Sequence, residues 1–369
     1  MPSYLGSYLN RLQLLDYGRF FAAFVVVLFH LTFNGIVNGK IDSITHFPHL
    51  IDITKYGYLG VEFFFMISGY VIFFSAQSNN PGKFAVSRAL RLYPAYWFAV
   101  IFTAIFATFW GGEQMSVYLT QVLVNLTMLQ GFLGLQHVDG VYWTLVYELQ
   151  FYVAVFAILF IGLGKHLRTI FLLWPVLLAV ALLLELQNYP YLGGYFYYFS
   201  AGTILAMMKE KTTFREVIAL FVIFLLAQDF SMGQAILKES KTGIHFSVEI
   251  VAAIVSACFL FFLLQNSQKI SRIKLPYSER LGSLTYPLYL IHAHFGYMLL
   301  SRFANEDNKI AAYIVVISII LLLSYLLNSI IERKLHKVWK NLFNATLLPL
   351  VDNILNLTKS PLWLKQKSS

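Results

Sequence analysis

Residues 19–30 read RFFAAFVVVLFH, ten apolar residues bracketed by an arginine and a histidine. With its flanks this run is long enough to cross a hydrocarbon core of about 30 Å as a helix. On that helix Arg19 and His30 fall within roughly 20° of one face and about 16 Å apart along the axis. Arg19 then sits near a membrane interface, where a snorkelling arginine is ordinary. His30 sits well past the midplane, where an ionisable group serves either a helix-to-helix hydrogen bond or a function.

The whole chain repeats this character. Of 369 residues, 58% are hydrophobic and 12% are charged, and the mean hydropathy is +0.66. A soluble protein of this length needs far more polar surface. The apolar residues come in long runs, and the weak period-2 alternation argues against an outer-membrane barrel. The expected fold is therefore an all-α polytopic membrane protein. About ten transmembrane helices are predicted, near 14–35, 56–77, 93–112, 141–163, 168–187, 191–208, 216–230, 244–265, 281–301 and 310–331. The seventh is short. The stretch 115–136 is interrupted by Thr, Gln, Asn and Gly, and is expected to be interfacial or re-entrant rather than a span.

Loop charge sets the orientation. With ten spans and the N-terminus inside, one side holds Arg11, Lys83, Arg88, Arg91, Lys165, Arg168, Lys209, Lys211, Arg215, Lys269, Arg272, Lys274 and Arg280. The other holds only Lys40, Lys55, Lys238, Lys241, Arg302 and Lys309. The positive-inside rule then places both termini in the cytoplasm. The same loops account for the net charge of +9 through orientation and anionic lipid rather than nucleic acid. The single cysteine, Cys258, rules out an internal disulfide or a cysteine-based metal cluster and reads as a small buried hydrophobe. The start of the chain lacks a basic region and a small-residue cleavage site, so the first helix is expected to be retained. Residues 1–340 form one membrane domain, and 341–369 read as a short cytoplasmic amphipathic tail.

Several ionisable residues fall inside the predicted spans. Glu62 is the lone carboxylate of GVEFFFMISGYVIFF, and a buried carboxylate must find a partner or a proton. Arg88 and Arg91, in SRALRLYPAYW, share a helix face at the cytoplasmic boundary. Planar guanidinium forks in that arrangement suit a pyrophosphate, although topology alone also explains them. In DGVYWTLVYELQFY, Trp143, Tyr142 and Tyr147 mark the outer interface, and Glu148 is a second carboxylate in the outer half. His30, Glu62 and Glu148, at similar depth on three helices, make a candidate acid/base cavity. In LGSLTYPLYLIHAHFGYMLL, His292 and His294 are two apart and face different sides, so at most one joins that cavity. Pro287 breaks the helix ladder there. Glu332 and Arg333 read as an interfacial pair. No group of residues has metal-ligand spacing, and no metal is expected.

Together these residues resemble the bacterial integral-membrane acyltransferase-3 family, which includes O-acetyltransferases of lipopolysaccharide, capsule, exopolysaccharide and Nod factors. The likeness runs over roughly 12–335. Arg19 and His30 match the family's Arg-x10-His pattern, GVEFFFMISGYVI its second-helix signature with Glu62 in the acidic position, and RALR followed by YP its Arg-x-x-Arg motif. YWTLVYELQFY is similar to its Trp-Thr-Leu-x-x-Glu-x-x-Phe-Tyr segment, TYPLYLIHAHF matches the penultimate helix through His292, and IERKLHK the terminal Glu-Arg. The order and spacing of these motifs are together specific.

The resemblance implies a transferase of the bacterial inner membrane that moves an acyl group, usually acetyl, from cytoplasmic acyl-CoA to a glycan hydroxyl. Acetyl-CoA is then a donor substrate, and the partners are a glycan or lipid-linked saccharide and the bilayer. On this reading Arg88 and Arg91, with Arg19, hold the phosphates of CoA. His30 acts as general base on the sugar hydroxyl or is itself transiently acylated. Glu62 or Glu148 orients the imidazole, and Trp143, Tyr147 and His292 contact the acceptor. The alternative is a transporter or flippase of a lipid-linked sugar, which explains the buried charges but not an arginine pair at the inner mouth.

Overall fold

A computed structural model describes residues 13–271 and 273–359. Arg11 and Arg272 of the basic loops, and the end of the tail, lie outside them. The described chain is a helical bundle. Helix α1 spans Gln13–Phe29 and runs on through a π-helical turn, His30–Asn34, to Val37. After a short helix, Pro48–Thr54, and a 3-10 turn, Lys55–Leu59, come α2 (Gly60–Ala76) and α3 (Pro81–Trp110). Next are α4 (Trp143–Phe160), α5 (Leu167–Leu183), α6 (Phe196–Glu210), α7 (Phe214–Thr242) and α8 (Val248–Asn266). The last elements are α9 (Ser278–Ile291), α10 (His294–Phe303), α11 (Lys309–Leu327) and α12 (His336–Lys359).

Among the described residues, eight helical segments are long and apolar enough to cross a membrane. The other two predicted spans take different forms. Helix α6, predicted near 191–208, has only 15 residues, a rise of about 22 Å. Every side chain from Phe196 to Met207 is buried, so α6 is the central post of the bundle rather than a lipid-facing span. It touches α2 backbone to backbone. A Cβ placed on Gly69 would lie 2.1 Å from the carbonyl oxygen of Phe199, and one on Gly202 2.1 Å from that of Met66. Small residues that admit such contact drive helix association where lipid removes the hydrophobic difference between inside and outside.

The predicted ninth span is broken into α9 and α10 at His292–Ala293. Pro287 has no N–H for the Ser283 carbonyl, which Asn328 Nδ2 reaches instead at 3.2 Å. The open carbonyls at the end of α9 are met by side chains. His292 Nδ1 donates to the Tyr289 oxygen at 2.8 Å, and the Tyr142 hydroxyl donates to that of Leu290 at 3.2 Å. Buried backbone groups must be paired where water is absent, and these side chains allow the break.

Two boundaries move. Helix α3 begins twelve residues before the predicted 93, because Asn80 caps it by accepting from the Lys83 N–H and proline fits the first turn. Helix α7 is not short. It passes Asp229 and Gly233 and stops at Gly243, whose φ of +68° is the left-handed conformation that glycine adopts freely. Between α3 and α4 there is no spanning helix in 115–136, only a seven-residue helix, Leu119–Asn125, and turns. Its interrupting polar residues hold the loop. Asn125 Oδ1 accepts from the Val138 N–H at 3.0 Å, and Gln121 Nε2 donates to the His137 oxygen at 3.2 Å. Helix α12 folds back on α3, with Trp339 and Phe343 against Trp97.

Candidate active site

Two polar regions lie along the face of α1 that carries Arg19 and His30. The first is a cavity of about 320 Å³ between α1, α2, α3, α4 and α9. Arg19, Arg88 and Arg91 line it together with Glu148, Thr144 and Tyr289. Arg88 and Arg91 reach it because α3 is already helical at Pro81, so their three-residue spacing aims both guanidiniums inward. Arg91 lies over the Tyr286 ring at 4.8 Å and Arg88 over the Tyr152 ring at 5.6 Å. Arg88 Nη2 donates to Ser87 at 2.9 Å, and its Nε is buried without an acceptor among the described residues. None of the three arginines forms an ion pair with a described residue. Glu148 accepts instead from Ser68 at 3.3 Å and, through a short bond, from the Tyr152 hydroxyl.

The second region surrounds His30. The π-helical turn brings Asn34 beneath the imidazole, and α10 brings Tyr297. The Tyr297 hydroxyl lies 2.6 Å from His30 Nδ1, and Asn34 Nδ2 lies 3.3 Å from Nδ1 and 3.2 Å from the hydroxyl. His292, fully buried, meets the His30 ring edge-on at 5.0 Å. His294 joins the same cluster through its ring contact with Tyr297 at 6.0 Å. A continuous helix would have sent these two histidines apart. The break between α9 and α10 brings both to the cluster.

The periphery is tied as tightly. His294 Nδ1 donates to the Val138 oxygen at 3.0 Å, and its Nε2 accepts from Lys40 Nζ at 2.8 Å. Asp139, fully buried, accepts from the Val141 and His294 N–H groups at 3.1 and 2.9 Å. It thereby caps the starts of α4 and α10, where a carboxylate is favoured. Lys40 lies outside the spans. Burial draws its ammonium below the ordinary lysine value, against the opposing charge of Asp139.

The expected single acid/base cavity thus divides. Glu148 belongs with the arginines. Glu62 is buried, 1% exposed, with no hydrogen-bond partner on either oxygen among the described residues. Neither carboxylate touches His30, because the groups that hold the ring come from α10 and from the turn after α1. Trp143 and Tyr147 line neither region. They pack with Tyr195, at 4.9 and 5.4 Å, in an aromatic nest between α4 and α6. Tyr142, read as an interface marker, is fully buried against Tyr96. Glu332 and Arg333 do not pair with each other: Glu332 accepts from Asn328 at 2.6 Å, and Arg333 reaches Glu279 at 3.3 Å.

One side chain links the regions. Tyr289 lines the arginine cavity, shares a hydrogen bond of 2.8 Å with Thr144, and stands against His292 at 5.6 Å. Tyr297, Asn34, Asp139 and Lys40 were not singled out from sequence. The DG before α4 was a legible capping signal for Asp139; the others had none. Among the described residues no cluster of three or more His, Cys, Asp or Glu could hold a metal ion.

No curated protein and no solved structure matches the chain. A family model described as "Acyltransferase domain" matches residues 12–329, a range that takes in α1 to α11 and both polar regions. The chain belongs to the acyltransferase-3 family and is a multi-pass membrane acyltransferase.

Proposed function

We propose that this acyltransferase moves an acetyl group from cytoplasmic acetyl-CoA to a hydroxyl of a cell-envelope or exported glycan, across the bacterial inner membrane. The observation that carries the reading is three guanidiniums and one carboxylate, Glu148, lining one cavity with no ion pair between an arginine and a described residue, and His30 about 16 Å further along the same helix. Excess positive charge in a partly desolvated cavity is complementary to a polyphosphate, and guanidinium forks bind phosphate in pairs. Arg19, Arg88 and Arg91 hold the phosphates of CoA, and its flexible arm passes Tyr289 toward His30. Both termini then face the cytoplasm, on the side of the arginines, and the acceptor reaches His30 from the other side.

His30 is the general base. Its Nδ1 is occupied by Tyr297 and Asn34, whereas Nε2 has no partner among the described residues. Nε2 takes the proton of the acceptor hydroxyl as that oxygen attacks the thioester carbonyl. The carbon–sulfur bond breaks, and the imidazolium returns the proton to the departing thiolate. With Nε2 as the base, Nδ1 carries its hydrogen in both the neutral and the charged ring and donates it to the Tyr297 oxygen, which also accepts from Asn34 Nδ2 at 3.2 Å. Tyr297, rather than Glu62 or Glu148, fills the orienting role.

The test is the acetyl content of surface glycan in cells expressing His30→Ala at normal protein level. Loss of acetyl is expected, and wild-type acetylation would remove His30 from the reaction. Movement of a lipid-linked sugar without consumption of acetyl-CoA would favour the flippase reading.

A further inference from the structure

Helix α7 carries Lys238 to the His30 end of the bundle. Its ammonium lies 4.4 Å from the Tyr58 ring centroid and 5.9 Å from that of Phe29, the neighbour of His30. The buried and half-buried lysines Lys55, Lys309 and Lys40 at this end each have a partner: Lys55 holds Asp52 at 3.3 Å, Lys309 holds Glu306 at 3.2 Å, and Lys40 holds His294. Lys238 has no hydrogen-bond acceptor among the described residues. It lies within electrostatic reach of both Glu62 and His30 without touching either. Glu62 and the Tyr58 hydroxyl, four residues apart, are both buried and both without a hydrogen-bond partner among the described residues.

Three polar groups of complementary kind without a hydrogen-bond partner among the described residues, an ammonium, a carboxyl and a phenol, thus lie within electrostatic reach of one another, and the ammonium lies within reach of the proposed base. Phe29 and Tyr58 add aromatic surface. Buried polar groups left unpaired are costly, and no described residue is hydrogen-bonded to these. We propose that Lys238, with Glu62 and Tyr58, binds the acceptor sugar beside His30. Vicinal hydroxyls fit this set because each accepts one hydrogen bond and donates another. One hydroxyl oxygen accepts a hydrogen bond from Lys238, its neighbour donates one to Glu62, and the apolar face of the ring lies against the aromatic side chains. Lys238 leaves the Tyr58 ring to make that contact, as its long flexible stem permits.

This assignment rests on the acyl-transfer reading above, and the experiment separates the two. Wild-type protein in nanodiscs is given radiolabelled acetyl-CoA and total envelope glycan from the cells that make it. Lys238→Met keeps the stem and removes the charge. It is expected to raise KM for the glycan about tenfold or more, the usual cost of losing a charged hydrogen bond, with acetyl-CoA affinity unchanged. Lys238→Arg is expected to restore much of the loss. Wild-type KM in Lys238→Met overturns the assignment, as does a parallel loss of acetyl-CoA affinity, which would place Lys238 in the fold. A wild-type protein that labels no glycan overturns the acyl-transfer reading itself, and this assignment with it.

Discussion

The arginine cavity and the histidine cluster are built on opposite principles, although α1 contributes to both. At the arginines, charge is concentrated and left open: three guanidiniums share a cavity of about 320 Å³ and form no ion pair with a described residue. At the histidines, each ring is held through at least one of its nitrogens. His30 is tied to Tyr297 and Asn34, His292 to the end of α9, and His294 to Lys40, Val138 and Gly140. The first arrangement suits a ligand that brings its own negative charge. The second suits chemistry that needs one ring held still, because catalytic groups gain from geometry fixed before substrate arrives.

The largest expected effect breaks the histidine side alone. Purified His30→Ala is expected to lose about a hundredfold or more of acyl transfer, as when a general base is removed, and to bind CoA as the wild type does. Equal loss of both would show that the two regions are not separable. Next, Arg88→Ala with Arg91→Ala should weaken CoA binding by about a hundredfold, since each charged hydrogen bond lost costs roughly tenfold. Calorimetry with CoA measures this, and unchanged affinity would refute the phosphate assignment.

Tyr297→Phe sharpens the comparison. It removes one hydroxyl and keeps the ring, so kcat is expected to fall about tenfold while both substrates bind normally. A changed KM for either substrate would make Tyr297 a binding residue instead. The smallest effect concerns Lys40. Burial favours its neutral form and lowers its pKa, so its proton is lost at a lower pH than from an ordinary lysine. The bond to His294 is strongest below that lowered value and weakens as pH rises through it. Activity should show an alkaline limb there, measurable as a kcat profile, and Lys40→Met should lack the limb while losing a few-fold at neutral pH. A limb unchanged in the variant would assign it to another group.

Much of this was legible beforehand for a simple reason. A span is a local property: some twenty apolar residues read as a membrane helix whatever surrounds them. The same holds for relations within one helix. The spacing of Arg19 and His30, and of Arg88 and Arg91, set their shared faces, and the arginines do meet in one cavity. Reading ended where a helix ended. Lys238 looked like part of a loop because polar residues from Asp229 onward suggested that α7 had stopped. Tyr297, which holds the His30 ring, lies 267 positions away, and nothing in either local stretch signals that pairing.

From the sequence alone follow the apolar helical architecture, the family, and the arginines and histidine that mark the two regions. Tertiary structure decided how the acids were divided. Glu62 and Glu148 lie at similar depth by residue count, yet one is buried away from the arginines and the other lines their cavity. Tertiary structure also decided that a break at His292–Ala293 brings both histidines to His30. The physical reason is common to both. Position along a helix follows from its own 1.5 Å rise. Rotation and kinking are set by contacts between helices, such as Gly69 against Phe199 and Asn328 on the carbonyl freed by Pro287, and no stretch of local sequence contains those contacts.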